Sequence, residues 1–307
     1  MANFGFQIEI NLPGIRAAAE SIAIRTKVPV IAVIKADAYG CGAREVVQTL
    51  ADVVDGFYVF HLTEAVAADT AKTDKPTLAL CGESTNPEDW ICAKTRPAVW
   101  DIERAHALRS AHPVFALDTG QQRFAARIES AQSIITAGGC DEAFTHATRL
   151  DQVEQLKDLR PMTLHAAGSA LLDQPSAWLD AVRPGLALYD GNVRVTSRLI
   201  EARSSDGPAG YTGFRVERFG VIPMGYSNGL RAGPCLINDH RSRILEVGMQ
   251  TAFVELNDLA KVGDEVVLLG DGLHAKDLAS AWNCSPQEVL VSITRDRLAA
   301  TQRGARV

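Results

Sequence analysis

The chain has 307 residues, with 31 lysines and arginines against 37 aspartates and glutamates, so its formal charge at pH 7 is −6. This length suggests two domains, and an apolar content of 47% is enough for a sizeable core. An acidic chain with only 6% aromatic residues does not resemble a nucleic-acid-binding protein. The N-terminal segment lacks a basic stretch followed by an apolar one, and no apolar run approaches about 18 residues. We therefore expect neither a signal peptide nor a membrane span.

The cysteines form no recognisable framework. They lie far apart and include no CxxC pair, a spacing that fits neither a zinc site nor a set of disulfides. Reduced thiols of this kind are typical of a cytoplasmic protein, and no metal site is expected. The six positions are Cys41, Cys81, Cys92, Cys140, Cys235 and Cys284.

Over residues 1–192, short apolar runs alternate with segments of helical periodicity. The runs recur about every 22 residues, which is short for a strand-plus-helix unit. Continuous apolar strands flanked by helices indicate a parallel sheet covered on both faces, and eight such units close a (β/α)8 TIM-type barrel. An open doubly wound sheet is the alternative, but no glycine-rich dinucleotide motif follows the first strand. The predicted strands are Pro29–Ala36, Asp55–Leu62, Pro76–Leu80, Pro97–Trp100, Pro113–Thr119, Asp141–Ala147, Met162–Gly168 and Ala181–Asp190.

The remaining residues, 193–307, predict a smaller and mostly β domain. Short strands are separated there by turn sequences, and helical periodicity returns only near Gln287–Leu298. No low-complexity linker precedes this domain. The predicted strands are Arg194–Ala202, Phe219–Pro223, Met249–Asn257 and Asp264–Leu269.

In a barrel of this type, functional groups collect where the strands end. Lys35 ends the first apolar strand, where partial desolvation would lower its pKa and suit it to be a Schiff-base amine. The plain alternative is a lysine at the barrel rim whose amine reaches solvent. Other strand ends add cationic groups and a possible phosphate cradle, so the mouth of the barrel suits an anionic ligand. These residues are Arg123, His146, Arg183, Ser169, Gly185 and Leu186.

The residues around Lys35 carry a family resemblance. Ala32–Gly40 strongly resembles the cofactor-lysine motif of alanine racemases, which are fold-type III enzymes that use pyridoxal 5′-phosphate (PLP). Five further segments resemble motifs of that family and occur in the same order, so the resemblance covers nearly the whole chain. They are Asp118–Arg123, Thr145–Ala147, His165–Ala170, Val182–Tyr189 and Val221–Gly229.

The resemblance implies a racemase that moves a proton at the substrate Cα between two bases, most simply converting L-alanine to D-alanine. Lys35 would bind PLP covalently and serve as one base, and Tyr226 would be the other. A free phenol has a pKa near 10, which a chain through His146 to Arg183 could lower. In this family the tyrosine comes from the second subunit, so the resemblance implies a head-to-tail homodimer.

The same resemblance assigns the ligand contacts. Arg183 would face the pyridine nitrogen, and its permanent charge would keep that nitrogen unprotonated. Arg123 and the backbone of Met249 would bind the carboxylate of a small amino-acid substrate. The implied phosphate contacts are Tyr39, Ser169, Gly185 and Leu186.

Several positions depart from the family pattern, mainly at the substrate entrance. Ala116 stands where a carbon-dioxide-modified lysine often steadies the carboxylate-binding arginine. The segment after His146 is short, and other substitutions are Cys41, Glu246, Gln250 and Gln287. An acidic Glu246 at the entrance would favour a cationic or larger polar substrate, so a racemase of another amino acid stays open.

Two further functions also stay open. A fold-type III decarboxylase would need a cysteine acid with an aspartate partner in the second domain. A D-threonine-type aldolase would need a metal-binding pair of the histidine and cysteine kind near the C-terminus, and Trp282–Ser285 contains no histidine for such a pair. A non-catalytic PLP-binding protein of the single-domain kind would lack the second domain and its tyrosine. This chain has Gly225 and Tyr226. We expect no nucleic acid, membrane or metal among its partners.

Overall fold

The computed structural model describes residues 5–82 and 84–297. The chain divides into two compact units. The first contains residues 12–38 and 42–188, except Glu83, and the second contains residues 5–11, 39–41 and 189–297.

Strands and helices alternate in the first unit, whereas strands dominate the second. In chain order the strands are β1 (Gln7–Ile10), β2 (Ile31–Val33), β3 (Gly56–His61), β4 (Thr77–Cys81), β5 (Thr95–Val99), β6 (Val114–Ala116), β7 (Glu142–Ala147), β8 (Thr163–Ala167), β9 (Val193–Arg198), β10 (Glu201–Ser204), β11 (Arg218–Ile222), β12 (Gly233–Ile237), β13 (His240–Val247), β14 (Ala252–Glu255) and β15 (Glu265–Leu269).

The first unit is a closed barrel. Strands β2 to β8 pair in parallel in sequence order. Ala181 and Val182 then form parallel bridges to His165 on one side and Val30 on the other, which completes the ring with an eighth strand segment. The strands are buried because helices cover the sheet, and this explains their continuous apolar runs. The predicted barrel is therefore confirmed.

Helices lie between consecutive barrel strands and use their apolar faces to cover the sheet. Val46, Val47 and Leu50 are buried on one such helix, as their spacing predicts. The α-helices of this unit are Leu12–Thr26, Ala43–Leu50, Leu62–Ala67, Pro87–Cys92, Ile102–Ala107, Ile128–Gly138, Leu150–Lys157 and Leu186–Tyr189, the last of which runs into the second unit.

The second unit is built on an antiparallel sheet of eight strands, in the order β1-β9-β15-β12-β13-β14-β11-β10. Two helices, Ala275–Trp282 and Pro286–Ile293, follow the last strand. This confirms the predicted β domain. The helix predicted over Gln287–Leu298 is shorter than expected, and Leu298 lies outside the described residues.

One predicted boundary differs from the observed division. The sequence predicts a barrel domain over residues 1–192, but Gln7–Ile10 pairs with Val193–Thr196 in the sheet of the second unit. Tyr39–Cys41 also groups with that unit. No helix within residues 5–82 and 84–297 is long and apolar enough to cross a membrane.

Candidate active site

A left-handed turn follows Lys35 at the carboxyl end of β2. Ala36, Asp37, Ala38 and Tyr39 have φ angles of 54°, 53°, 53° and 57°. Each such residue costs about 1–2 kcal/mol, so the turn needs external support. The Asp37 carboxylate provides part of it by accepting a hydrogen bond from the Ala43 amide at 2.7 Å.

Glu64 supports the same turn, and sequence analysis did not identify it. One carboxylate oxygen accepts from the Ala36 amide at 2.9 Å, and the other accepts from the amides of Phe60 at 2.7 Å and His61 at 3.3 Å. Glu64 therefore joins the turn beside Lys35 to the end of β3. A signal was present, because a glutamate three residues after a helix cap commonly reaches back to the backbone.

The Lys35 amine lies in a positive environment. Burial, together with the charges of Arg123 and Arg183, lowers the pKa of Lys35, and the charge of Glu64 opposes the decrease. A lysine with a lowered pKa is more often neutral, which is the form that attacks a carbonyl carbon. The lowered pKa is what a Schiff-base lysine needs, and that role of Lys35 stays a prediction.

Arg183 lies inside the barrel, where only 4% of it is exposed. Its Nη2 donates to the carbonyl oxygens of Thr145 and Ala166. The guanidinium carbon is 5.2 Å from the ring centroid of Tyr58 and 5.0 Å from that of Phe144. Burial lowers the pKa of Arg183, and interaction with Tyr58 opposes the decrease. Sequence analysis did not identify the two rings that enclose this guanidinium.

The Nε of Arg183 is buried and has no hydrogen-bond partner among the described residues. A buried N–H without a partner is costly, so an acceptor supplied by a ligand would satisfy it. An unprotonated pyridine nitrogen is such an acceptor. The group therefore fits PLP on grounds independent of the sequence motif.

His146 is the penultimate residue of β7 and lies near the same cations. Although solvent reaches its ring, burial by surrounding protein and the charges of Arg183, Lys35 and Arg123 lower the pKa of His146 to about 4. The imidazole is consequently neutral near pH 7 and able to accept a hydrogen bond. These four predicted residues act on one another electrostatically at one end of the barrel.

A hydroxyl and backbone amides meet after the last two barrel strands. Ser169 Oγ accepts hydrogen bonds from the amides of Gly185 at 3.0 Å and Ala187 at 3.1 Å. Ser169 begins a short 3-10 helix, whose N-cap residue is Gly168. A Cβ built on Gly168 has only the Arg183 carbonyl oxygen within 4 Å, at 3.8 Å. Clustered amides with open space beside them fit a phosphate group.

The loop after β6 carries Arg123. Asp118 Oδ1 accepts from the amides of Gly120 at 2.8 Å and Gln122 at 3.0 Å. Burial acts to raise the pKa of Asp118, but these amide hydrogen bonds lower it. The Arg123 side chain is exposed, and its guanidinium makes no hydrogen bond or ion pair within the described part of the chain. Ala116, which replaces the lysine expected from the family, is buried in β6.

The short segment after His146 forms a tight connection between β7 and the next helix. Only two residues separate β7 from the helix Leu150–Lys157. Gln152 closes this connection by accepting from the Thr148 and Arg149 amides at 2.8 and 3.1 Å. Its Nε2 also donates to the Thr119 carbonyl at 3.0 Å, which links the connection to the Arg123 loop.

In the second unit, Tyr226 and Met249 form an exposed pair. They are 53% and 62% exposed. The Tyr226 amide donates to the Gly248 carbonyl at 2.9 Å, and a Cβ on Gly225 would come within 2.4 Å of that same oxygen. A glycine before the tyrosine therefore permits the close backbone approach that places the two side by side.

Tyr39 is described with the second unit. Its ring centroid lies 4.9 Å from that of Tyr189, and its carbonyl accepts a hydrogen bond from Thr294 Oγ1 at 3.5 Å. A Cβ on the following Gly40 would lie 1.8 Å from the same Thr294 oxygen, so this position requires glycine. The phosphate contact assigned to Tyr39 stays a prediction.

Glu246 has a structural role that contradicts one hypothesis from the sequence. Its carboxylate accepts hydrogen bonds from the Tyr211 and Thr212 amides at 2.8 and 2.7 Å and from the Thr212 hydroxyl. It is only 8% exposed. Glu246 braces a loop of its own unit, and the expectation that it offers a free carboxylate to a cationic substrate is wrong.

Metal ligands are not clustered in this part of the chain. Within residues 5–82 and 84–297, no group of three or more histidine, cysteine, aspartate or glutamate side chains could hold a metal ion.

Comparisons with known proteins agree with the geometry. Residues 10–137 match the family model for the alanine racemase N-terminal domain, and residues 209–300 match that for its C-terminal domain. Biosynthetic alanine racemase of Escherichia coli is 29% identical over 86% of this chain and 89% of its own length. The alanine racemase of Mannheimia succiniciproducens is 28% identical over 88% and 92%.

Solved structures are similar over almost the whole chain. The biosynthetic alanine racemase of Pseudomonas aeruginosa has a TM-score of 0.84 with 26% identity and covers 94% of this chain and 97% of its own. An alanine racemase of Bartonella henselae, with covalently bound pyridoxal phosphate, has a TM-score of 0.83 with 20% identity over the same shares. With both domain models matched in order and the same two-part fold, the chain belongs to the alanine racemase family.

Proposed function

We propose that this protein is a PLP-dependent amino-acid racemase with alanine as its main substrate. The observation that carries the proposal is the barrel mouth, where a lysine with a lowered pKa lies near a buried arginine whose Nε lacks a partner. Bound PLP supplies an electron sink that makes the substrate Cα proton acidic. The covalently bound pyridoxal phosphate of the Bartonella henselae structure supports this choice of cofactor.

Lys35 holds the cofactor and moves a proton on one face of the substrate Cα. Its lowered pKa favours the neutral form of the amine, which both covalent attachment and general-base catalysis require. The left-handed turn after Lys35 is supported by Glu64, which fixes where the amine points.

Arg183 would donate its Nε hydrogen to the pyridine nitrogen of bound PLP. Because a guanidinium does not give up its proton, Arg183 would leave that nitrogen unprotonated and would limit charge delocalisation into the ring. This arrangement favours rapid return of the proton to Cα over side reactions. At the other end of the cofactor, Ser169, Gly185, Leu186 and Tyr39 would hold the phosphate.

Tyr226 is the second base, on the face of Cα opposite Lys35. Racemisation needs one group that removes the proton and another that returns it from the other side. An exposed tyrosine is available to a partner subunit, so we propose a head-to-tail homodimer in which each site receives Tyr226 from the other chain. Neutral His146 accepts a hydrogen bond from this phenol and passes the interaction to Arg183.

Arg123 binds the substrate carboxylate, assisted by the Met249 backbone. Its guanidinium has no partner in the described residues and is therefore free to form a bidentate pair. Alanine is favoured over basic amino acids because Glu246 is already engaged by its own loop.

We place the enzyme in the cytoplasm. Burial raises the pKa of Cys140 to about 11 and that of Cys235 to about 12, so these thiols are unreactive. No disulfide forms among the six cysteines, all of which are described. Unpaired buried thiols of this kind suit a reducing compartment.

A racemisation assay tests the proposal. The purified protein with PLP is offered L-alanine, L-serine, L-lysine and L-arginine, and the D-enantiomers are separated by chiral chromatography. We expect L-alanine to react fastest. No D-product from any of them, or decarboxylation in place of inversion, would refute the proposed reaction. Faster turnover of lysine or arginine would refute the substrate assignment alone.

A further inference from the structure

We propose that Phe124 is a positioning residue for Arg123, which it holds by packing its ring between Phe60 and Trp100. This inference rests on the proposed role of Arg123 in binding the substrate carboxylate. Arg123 needs another support because Ala116 replaces the expected lysine and no acidic side chain pairs with the guanidinium in the described residues.

The ring of Phe124 makes two edge-to-face contacts. Its centroid lies 5.7 Å from that of Phe60 at an interplanar angle of 78°, and 5.5 Å from that of Trp100 at 64°. Both arrangements are favourable for aromatic pairs and restrict rotation of the central ring. Because Arg123 is the preceding residue, fixing the Phe124 ring fixes the backbone from which the guanidinium extends.

Support is needed because the local backbone is strained. Gln122 and Phe124 have φ angles of 55° and 50°, values that residues with a side chain seldom adopt. Such conformations persist only where surrounding contacts determine them, and they concentrate at functional sites. The hydrogen bonds of Asp118 support the start of this loop, whereas the Phe124 ring supports its end.

On one side of the Phe124 ring, Trp100 also contacts the buried guanidinium of Arg104. The Arg104 guanidinium carbon lies 4.8 Å from the Trp100 ring centroid and 5.7 Å from that of Trp90. Its Nε donates to the Ala98 carbonyl at 3.1 Å. A partly desolvated cation on a tryptophan face is a strong contact. These contacts restrict the Trp100 ring, against which Phe124 packs.

On the other side, the contact continues to Lys35. The Phe60 amide donates to one oxygen of Glu64, and the other oxygen accepts from the Ala36 amide, which follows Lys35 directly. A continuous series of contacts therefore joins the residue next to the amine to the residue next to the guanidinium. We call the set Phe60, Trp100 and Phe124 the aromatic brace. It sets the separation of two groups that must hold one substrate molecule.

The test compares Phe124→Leu with Phe124→Tyr, which keeps the ring, and with Arg123→Ala. Phe214→Leu is the matched control, because Phe214 also lies between two rings, those of Phe219 and Phe253, in the second unit. For each PLP-loaded protein, kcat and KM for alanine are measured, and binding of propionate, a carboxylate without an amine, is measured by calorimetry. The affinity of each apoprotein for PLP is measured by fluorescence.

For Phe124→Leu we expect the alanine KM and the propionate Kd to rise about tenfold, while kcat and PLP affinity change less than about threefold. Phe124→Tyr, which keeps the ring, and Phe214→Leu should both have the alanine KM and propionate Kd of the original protein. Propionate binding within twofold of the original in Phe124→Leu overturns the brace. A parallel loss of kcat and PLP affinity overturns it too, because that result indicates general damage.

The two hypotheses fail differently. If Arg123→Ala leaves propionate binding intact, the proposed role of Arg123 is wrong. If Arg123→Ala weakens binding but Phe124→Leu does not, only the brace is wrong.

Discussion

The two units prepare their functional groups in opposite ways. In the barrel, burial and neighbouring charges within one chain lower the pKa of Lys35, and burial lowers the pKa of Arg183. In the second unit, Tyr226 and Met249 are exposed beside a short turn, which backbone hydrogen bonds and the Asn228 side chain hold in place. The difference supports the proposal that cofactor binding belongs to the barrel and that a partner subunit supplies the second proton-transfer group. Variants in the two units should therefore fail in distinguishable ways.

The largest effect is expected at the cofactor lysine. Lys35→Ala should reduce racemisation by at least about 10⁴-fold, because it removes both the covalent attachment and one base. Borohydride reduction of the original protein with PLP, followed by peptide mass mapping, should place the label on Lys35. Lys72→Ala, at an exposed lysine of the same unit, is the control. Labelling at another lysine would contradict the site.

The corresponding change in the second unit should spare the cofactor. Tyr226→Phe should lower racemisation by about 10³-fold and leave PLP affinity unchanged, because it removes one acid/base group only. In deuterated water, α-proton exchange should persist for one enantiomer and vanish for the other. Tyr211→Phe, at an exposed tyrosine of the same unit, should behave as the original. Exchange of both enantiomers in Tyr226→Phe would refute the two-base assignment.

A third variant tests the interior of the barrel. Burial acts to raise the pKa of Glu142, but His165 and Arg96 together lower it to about 2. We expect Glu142→Gln to lower the free energy of unfolding by about 3 kcal/mol at pH 7, since it breaks a largely buried ionic cluster. Denaturant titration measures this. Glu154→Gln, which removes an exposed pair with Lys157, should cost less than about 0.5 kcal/mol.

The same cluster gives a pH dependence. The pKa of Glu142 lies below the value of 4.5 for an unperturbed glutamate, so its contribution is complete above pH 4.5 and is lost as the pH falls toward 2. The unfolded chain takes up the proton first. Glu142→Gln should remove this part of the acid sensitivity. An unchanged slope between pH 5 and 3 would show that the cluster does not cause it.

The smallest effect is expected from Glu246→Gln. Losing part of the loop hydrogen bonding should cost about 1 kcal/mol of unfolding free energy, with no change in the relative rates for alanine and lysine. A change in the relative rates of alanine and of lysine or arginine would contradict this expectation and would indicate that Glu246 acts on the substrate.

Much of this arrangement could be predicted because the signals are local. Buried parallel strands appear as apolar runs, and the sequence predicts a strand at each of the eight barrel positions. The eighth is reduced to bridges at Ala181 and Val182, and the predicted strand Ala181–Asp190 is wrong over Leu186–Tyr189, which is helical. The short strand Gln7–Ile10 was missed because its partner is Val193–Thr196, far along the chain. Pairings at such separations leave no pattern in either segment alone.

The details of the site were harder to predict. Four successive residues with side chains seldom adopt positive φ angles, so nothing in Ala36–Tyr39 indicates a left-handed turn. The contacts of Phe124 come from two other strand ends, and only the closed barrel brings those together. Glu64 is different, because its spacing from His61 carried a usable capping signal.

Mixing two inactive variants tests most directly whether each site joins the barrel of one chain to the tyrosine of another. Lys35→Ala and Tyr226→Phe are mixed, unfolded and refolded together, or exchanged as dimers, and racemisation is measured. If the tyrosine comes from the partner, half of the dimers are mixed and each has one intact site, so activity should return to about a quarter of the original. If Tyr226 acts within its own chain, every site lacks one base and no activity returns.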